Sequence, residues 1–355
     1  MGKILIKNGR VWTGAKFSIG DVLTDGRNIV KIALSIDAQA DFIFDAMGKI
    51  VSPGLVDLHV HLKGLASEEF AMHTEMSCFP FGVTAVNDAG SIYGNKEFLE
   101  QFAVKTTVFV CVDIKDNHVD LTNMEERLAQ YGERAIGFKI YFDRNISKVT
   151  DITPLKEICE YAKARNLKVM VHCSNSPTPM SEIIGTLSKG DILTHAYHGG
   201  IHSCTEDGSQ CFQLAKERGV IVDAGFAGHV HTDFQNLELA IQRGYLPDTI
   251  STDITKYSAY RRGGRYGMTM CMSMARRAGM SEEDIFKAIT TVPAQVLDKS
   301  SEWGVLEEGR CADIAVLDFA DEAFWLQDNA GNILESNNGY RCVLTISDGE
   351  VVYKD

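Results

Sequence analysis

No run of apolar residues in the chain approaches the roughly 20 that a membrane-crossing helix needs, so a helical membrane protein is not expected. The opening segment, MGKILIKNGR, lacks the long apolar stretch of a secretory signal, and the expected compartment is the cytoplasm. There is no cysteine framework either. The nine cysteines are scattered without a CxxC pair or a regular spacing, as suits reduced thiols in a cytosolic protein. Basic charge is in short supply: the net charge of −13 argues against a surface that neutralises nucleic-acid phosphates. An acidic protein can still enclose a positive metal site, so a small-molecule substrate of either sign remains open. Solenoid repeats, low-complexity tracts and the glycine-rich first turn of a dinucleotide-binding sheet are all missing.

What is present is a chain of 355 residues, 45% apolar, long enough for one large α/β domain and an accessory unit. Both ends are rich in short strands. ILIKNGRVWT breaks at Asn8-Gly9 and DVLTDGRNIVKIA at Asp25-Gly26, and both dipeptides favour hairpin turns. DIAVLDF and YRCVLTISDGEVVYKD, with Asp348-Gly349, repeat the style at the other end. Isolated hairpins of this size are not stable alone, so residues 1–50 and 301–355 are expected to pair into one β-sandwich. Between them, residues 51–300 alternate strands with helices. The strands are KIVSPGLVDLHVHL, GVTAVNDAG, TTVFVCVDI, AIGFKIYF, LKVMVHCS, DILTHAYH, GVIVDAGF and DTISTDIT, and PLKEICEYAKARN and CFQLAKERG are among the helices. Apolar, β-branched runs suit strands buried on both faces, and eight units over about 250 residues suit a (β/α)8 TIM barrel.

Barrel enzymes work at the C-terminal ends of their strands, and chemistry-bearing residues collect there. His59 and His61 are one residue apart, so on a strand both imidazoles face one way and suit a transition metal. An isolated HxH is weak evidence; after SPGLVD and an apolar strand it is stronger. His172 ends LKVMVHCS and His195 ends DILTHAYH; each alone reads first as a core or surface histidine and only second as a ligand. Asp253, ending a buried strand, needs a partner or a metal. Lys139 either snorkels from its strand end or, converted by CO2 to a carbamate, bridges two metals. Cys173 beside His172 reads first as a small buried residue.

Taken together, HxH on the first strand, lysine on the fourth, histidines on the fifth and sixth and aspartate on the eighth resemble the amidohydrolase superfamily. GKIVSPGLVDLHVHL and GVLEEGRCADIAVLDF resemble its entry to and return from the barrel. GFKIY, DILTHAYHG and DTISTDIT look most like its deacetylase and dihydroorotase-like branch. The resemblance spans essentially the whole chain. It implies a cytoplasmic homo-oligomeric hydrolase with two divalent ions, zinc first among them, held by His59, His61, carboxylated Lys139, His172, His195 and Asp253. The bond cut is an amide or ester of a small anionic substrate, such as an N-acyl amino acid or acylated hydroxy acid. Asp253 moves the proton and Tyr141, two residues from Lys139, assists at the carbonyl. Lys63, His229, Tyr257 and Arg261 are the expected substrate contacts, with Arg262 beside them. Where Lys63 stands, dihydroorotases carry an arginine, and lysine lacks its bidentate fork. Other readings are a cyclic amidohydrolase, a one-metal nucleobase deaminase, which would want a glutamate behind His172 where HCSNSP has Asn175, and an inactive scaffold.

Overall fold

The computed structural model describes residues 2–206, 208–228, 230–261, 265–321 and 323–355, without the side chain of Arg261. Its centre is a run of seven parallel strands: β1 (Leu55–Val60), β2 (Val83–Ser91), β3 (Lys105–Cys111), β4 (Ala135–Tyr141), β5 (Lys168–His172), β6 (Ile192–Thr194) and β7 (Ile221–Val222). Each pairs only with its neighbours in chain order. Residues 249–254 close the circuit without forming a full strand. Thr249 bridges Asp223, just past β7, and Ile254 bridges Val60 of β1, both in the parallel sense. The barrel expected from the alternating pattern is therefore present, with its eighth member reduced to bridges.

Period-2 alternation sets what fills the barrel. Phe109, Met170 and Ile192 share a buried apolar cluster with Val56, Leu58, Ala294 and Trp303. Two residues further along their strands, on the same face, come Cys111, His172 and Thr194; Lys139 pairs with Cys111 and Met170, and Tyr141, two residues on, pairs with His172. An apolar plug thus underlies a polar layer at the C-terminal rim. Outside, helices press apolar faces onto the strands. In the helix Thr153–Lys163 the buried residues Leu155, Ile158, Cys159 and Ala162 fall at helical spacing, and Pro154 stands in the first turn, where a missing N–H costs nothing.

Both chain ends join one eight-stranded sheet. Its order is Glu350–Lys354, Gly339–Ser347, Ile314–Ala320, Ile50–Pro53, Lys3–Trp12, Phe17–Asp25 and Asn28–Ala33, with Phe42–Asp45 also on Lys3–Trp12. It wraps its own core of Ile4, Ile6, Val22, Val51, Ile314, Val316 and Leu344. Hairpins form at Asp25-Gly26 and Asp348-Gly349 as expected. None forms at Asn8-Gly9. There the strand Lys3–Trp12 runs straight through, with a register slip between Ile6 and Gly9 and Asn8 at φ 60°. The left-handed asparagine makes a bulge, not a turn. Its N–H donates to Asp21 at 2.8 Å, and a Cβ on Gly9 would lie 2.4 Å from Val51 Cγ2, so the glycine admits the neighbouring strand. Among the described residues, no helix is long and apolar enough to cross a membrane.

Candidate metal centre

The five sequence-chosen strand-end donors and Asp253 come together at the C-terminal rim. His59 Nε2 and His61 Nε2 lie 3.3 and 2.9 Å from Asp253 Oδ1, and His195 Nε2 lies 3.8 Å from Asp253 Oδ2. Lys139 Nζ is 3.2 Å from His59 Nε2. The rings of His172 and His195 stand 4.6 Å apart, centroid to centroid. Two clusters of converging ligand atoms result: His59 with His61 and Asp253, and His172 with His195 and His231.

His59 and His195 are aimed by specific partners. Thr194 Oγ1 donates to Asp223 Oδ2 at 2.7 Å, which leaves it to accept from His59 Nδ1 at 3.1 Å. His195 Nδ1 donates to the Gly225 carbonyl at 2.7 Å. Both imidazoles therefore present an unprotonated Nε2 to the centre, as ligating histidines do when the other nitrogen is tied back. Gly225 has no substitute: it is left-handed at φ +51°, and a Cβ there would sit 2.7 Å from His195 Nδ1. Asp57 accepts from Thr252 Oγ1 (2.6 Å), Thr252 N (3.1 Å) and His59 N (3.3 Å), locking the residue before Asp253 to the first strand. Asp88 takes the Leu62 amide at 2.7 Å and so fixes the chain just past His61. His195 (φ 63°) and Asp253 (φ 46°) both adopt left-handed backbone, a strain of order 1–3 kcal/mol each that packed surroundings must hold in place.

The centre is almost dry. His59, Lys139, His172 and His195 are essentially inaccessible. Burial drives the pKa of Lys139 down to about 8 and those of His59 and His195 well below the usual histidine range. Burial also raises Asp57 to about 7 and Asp223 to about 6 against the hydroxyl and amide hydrogen bonds they accept. For Asp253 burial acts the same way but is outweighed by the surrounding imidazoles, His59 and His61 foremost, which hold it below the carboxylate range. Among the six donors, the buried atoms His172 Nε2, His195 Nε2 and Asp253 Oδ1 make no hydrogen bond, although Asp143 Oδ2 lies 3.5 Å from His172 Nε2. Orphaned acceptors packed together cost about 1–3 kcal/mol apiece unless something positive sits between them. The nitrogen and carboxylate donor set, with acceptors converging on one space, fits divalent metal ions.

The remaining sequence-chosen residues are less uniform. Tyr141 borders the centre, its ring 5.8 Å from that of His172 and 5.6 Å from Lys139 Nζ. Burial pushes its phenol well above the usual value, so it stays protonated. Lys63 is exposed; its backbone N–H donates to the Met72 carbonyl at 2.8 Å, and it bridges Ala66. Tyr257 is exposed on the helix Lys256–Arg261. His229, Arg262 and the Arg261 side chain lie outside the described residues. Cys173 is no part of the centre; its thiol donates to the Thr194 carbonyl at 3.2 Å, and burial raises its pKa strongly. Sequence reasoning passed over His231, whose Nε2 lies 4.0 Å from Asp253 Oδ2. It also passed over Asp57, Asp88 and Asp223. The spacing DLHVH offered a signal for Asp57, two residues before His59; nothing local marks the others.

The model of the amidohydrolase family matches residues 50–352. A deacetylase of Agrobacterium fabrum is 30% identical over 346 residues, covering 90% of this chain and 83% of the relative. A deacetylase of Enterococcus faecalis is 28% identical over 98% of both chains. Among solved structures, one described as a dihydroorotase superposes with a TM-score of 0.87 at 26% identity, over 100% of this chain and 98% of the other.

Proposed function

The chain belongs to the amidohydrolase family and is a hydrolase of carbon–nitrogen bonds, and we propose that within that family it removes an acyl group from a small anionic substrate, an N-acyl amino acid or an acylated hydroxy acid. The observation that carries the metal part of this reading is the pair of converging donor sets, His59 with His61 and Asp253, and His172 with His195 and His231, in which His172 Nε2, His195 Nε2 and Asp253 Oδ1 are buried without a hydrogen bond. Two divalent ions would be held by His59, His61, Lys139, His172, His195 and Asp253; imidazole and carboxylate donors suit zinc, and also manganese, iron or nickel. Lys139 would serve as a carbamate. A buried amine whose pKa is lowered to about 8 has the neutral fraction that reacts with CO2, and an ammonium in this place would repel cations.

When bound, such ions make hydroxide available near neutral pH and polarise a carbonyl. The protein supplies the rest. Asp253, kept anionic, accepts the proton of the attacking water and returns it to the departing amine or alcohol. Tyr141, kept protonated by burial, donates to the oxygen on which negative charge develops. The apolar plug beneath closes the site to water from below, which strengthens each of these interactions. Two divalent ions would outweigh the charge of a carbamate, a hydroxide and Asp253, so an anionic substrate would be favoured despite the acidic surface. Exposed Lys63 and Tyr257 are the proposed substrate contacts among described side chains. Deacetylase relatives along nearly the whole chain support acyl removal.

The test is a panel of N-acyl amino acids, acylated hydroxy acids, cyclic ureides and nucleobases offered to zinc-loaded enzyme. Release of acetate or another acyl acid from the first two classes is expected. Ring opening of ureides alone would replace this reading with the cyclic amidohydrolase, to which the 26%-identical dihydroorotase structure points. Mass measurement of active enzyme must find Lys139 carboxylated, and Lys139→Ala should lose metal and activity, with partial rescue by a short carboxylic acid. An unmodified lysine in active enzyme defeats the carbamate.

A further inference from the structure

Strand-end geometry accounts for two imidazoles in the second donor cluster, yet the cluster contains three. We propose that His231 is a ligand of the second metal ion, so that this ion is held by His172, His195 and His231 together. The inference rests on the two-metal reading above and adds a donor from a loop.

His231 follows β7 and lies against both partners: ring centroids are 4.2 Å from His195 and 4.7 Å from His172, the latter nearly perpendicular. One nitrogen from each of the three rings lies within 4.8 Å of the other two. Three imidazoles have nothing to offer one another when their lone pairs converge; the buried Nε2 atoms of His172 and His195 make no hydrogen bond, and Asp143 Oδ2 lies 3.5 Å from that of His172. A cation between them resolves all three. The far side of His231 is tied back in the manner of a ligand. Its Nδ1 meets Ser174 Oγ at 2.9 Å, and Ser174 stands two residues beyond His172, so the end of β5 positions both rings. Its Nε2 is then the nitrogen left facing Asp253 Oδ2, at 4.0 Å.

The loop is also held, as a ligand-bearing loop must be. Asp233 N–H donates to the Tyr197 carbonyl at 3.0 Å, and Asp233 Oδ1 caps the following helix through Asn236 N at 2.9 Å. Thr232 between them is buried. Carboxylates flank both donor sets: Asp253 stands beside His59 and His61, and buried Asp143 Oδ2 lies 3.5 Å from His172 Nε2.

The full-length enzyme loaded with cobalt(II) tests this. Bound cobalt and its d–d absorption are measured by titration for the parent, His231→Ala and His231→Gln. The parent is expected to hold two equivalents. In His231→Ala the second equivalent should dissociate at least about tenfold more readily, the lower end of what even indirect partners of a ligand cost. Its d–d band should change, and free imidazole in solution should restore part of both. If His231→Ala does not fold, His231→Gln and Ser174→Ala must show the same loss in milder form. Unchanged cobalt affinity and spectrum with only a raised KM would overturn the proposal and make His231 a substrate contact. A parent enzyme holding fewer than two cobalt ions overturns the two-metal reading itself, and is seen before any variant is compared.

Discussion

Two lysines stand near opposite ends of the barrel, each beside acidic residues and a cluster of possible metal ligands, and the fold treats them oppositely. Lys105 opens β3 at the N-terminal rim. Its ammonium lies 2.6 Å from both oxygens of Asp313 and 3.1 Å from Asp348, and Arg27 reaches Asp348 at 2.8 Å. Cys311, Asp313 and Asp348 are close enough together to suggest a cation site, but the cation is already there as a side chain. Burial would lower the pKa of Lys105; Asp313 overrides it, and the value is raised. Lys139, on the next strand and near the other rim, is fully buried against an imidazole and is lowered to about 8. Ligand atoms in proximity do not make a metal site. What separates the two clusters is whether the charge is already balanced by the chain itself. Balance at the lower rim fastens barrel to end sheet; imbalance at the upper rim is what a metal ion would relieve.

The sharpest way to break this contrast is through Asp253. Asp253→Asn keeps a neutral donor in place but cannot accept a proton. Turnover by metal-loaded enzyme is expected to fall by about a thousandfold or more, some 4 kcal/mol in barrier, with most of the metal retained and little change in the melting temperature. Activity within about tenfold of the parent would reject Asp253 as the proton carrier.

At the lower rim the expected pattern is reversed. Lys105→Met leaves Asp313 buried and uncompensated, its side chain only 10% exposed. Breaking a largely buried pair from one side costs about 3 kcal/mol. Urea denaturation should show that loss, whereas kcat and bound metal per subunit stay at the parent's values. Loss of metal from this variant would mean that the two clusters are coupled and that the separation drawn between them is wrong.

The upper rim was legible in the sequence because every donor chosen there lies at or near the end of a segment whose apolar, β-branched run marks its place. Lys139, His172, His195 and Asp253 needed only the strand order. The eighth strand was correctly located in DTISTDIT but not its form, since the left-handed turn at Asp253 leaves only bridges. The lower rim was illegible for a different reason: Lys105 and Asp313 are 208 residues apart, and no local pattern links a strand-opening lysine to a distant sheet. His231 was passed over in favour of His229 because a loop has no period with which to choose between two histidines. Asn8-Gly9 misled because the same left-handed preference serves a bulge as well as a turn. The buried carboxylates Asp57, Asp88 and Asp223 hid for want of any rule that finds an acid whose role is to hold backbone amides and hydroxyls.

The finest comparison uses the two lysines themselves, and it concerns stability without metal. A lysine whose folded pKa is lowered binds its proton less well in the native than in the unfolded state. The penalty is fully present below the folded value of about 8 and shrinks as pH rises from there towards the unfolded value of about 10.4, because over that window only the unfolded chain keeps the proton and stability rises with pH. Lys139→Met replaces this buried amine with an apolar chain of similar length. Metal-free Lys139→Met should therefore be more stable than the metal-free parent at neutral pH, by about 1–2 kcal/mol after allowing for imperfect packing. The advantage should fade near pH 9.5. Lys105 behaves in the opposite way: its raised pKa keeps the ammonium charged throughout that window, so the deficit of Lys105→Met should be the same at both pH values. Urea denaturation of the three metal-free proteins at neutral pH and near 9.5 decides the matter. If Lys139→Met is the less stable protein at neutral pH, or if its difference from the parent does not shrink on the alkaline side, then Lys139 is not held at an energetic cost and the contrast between the two rims loses its physical basis.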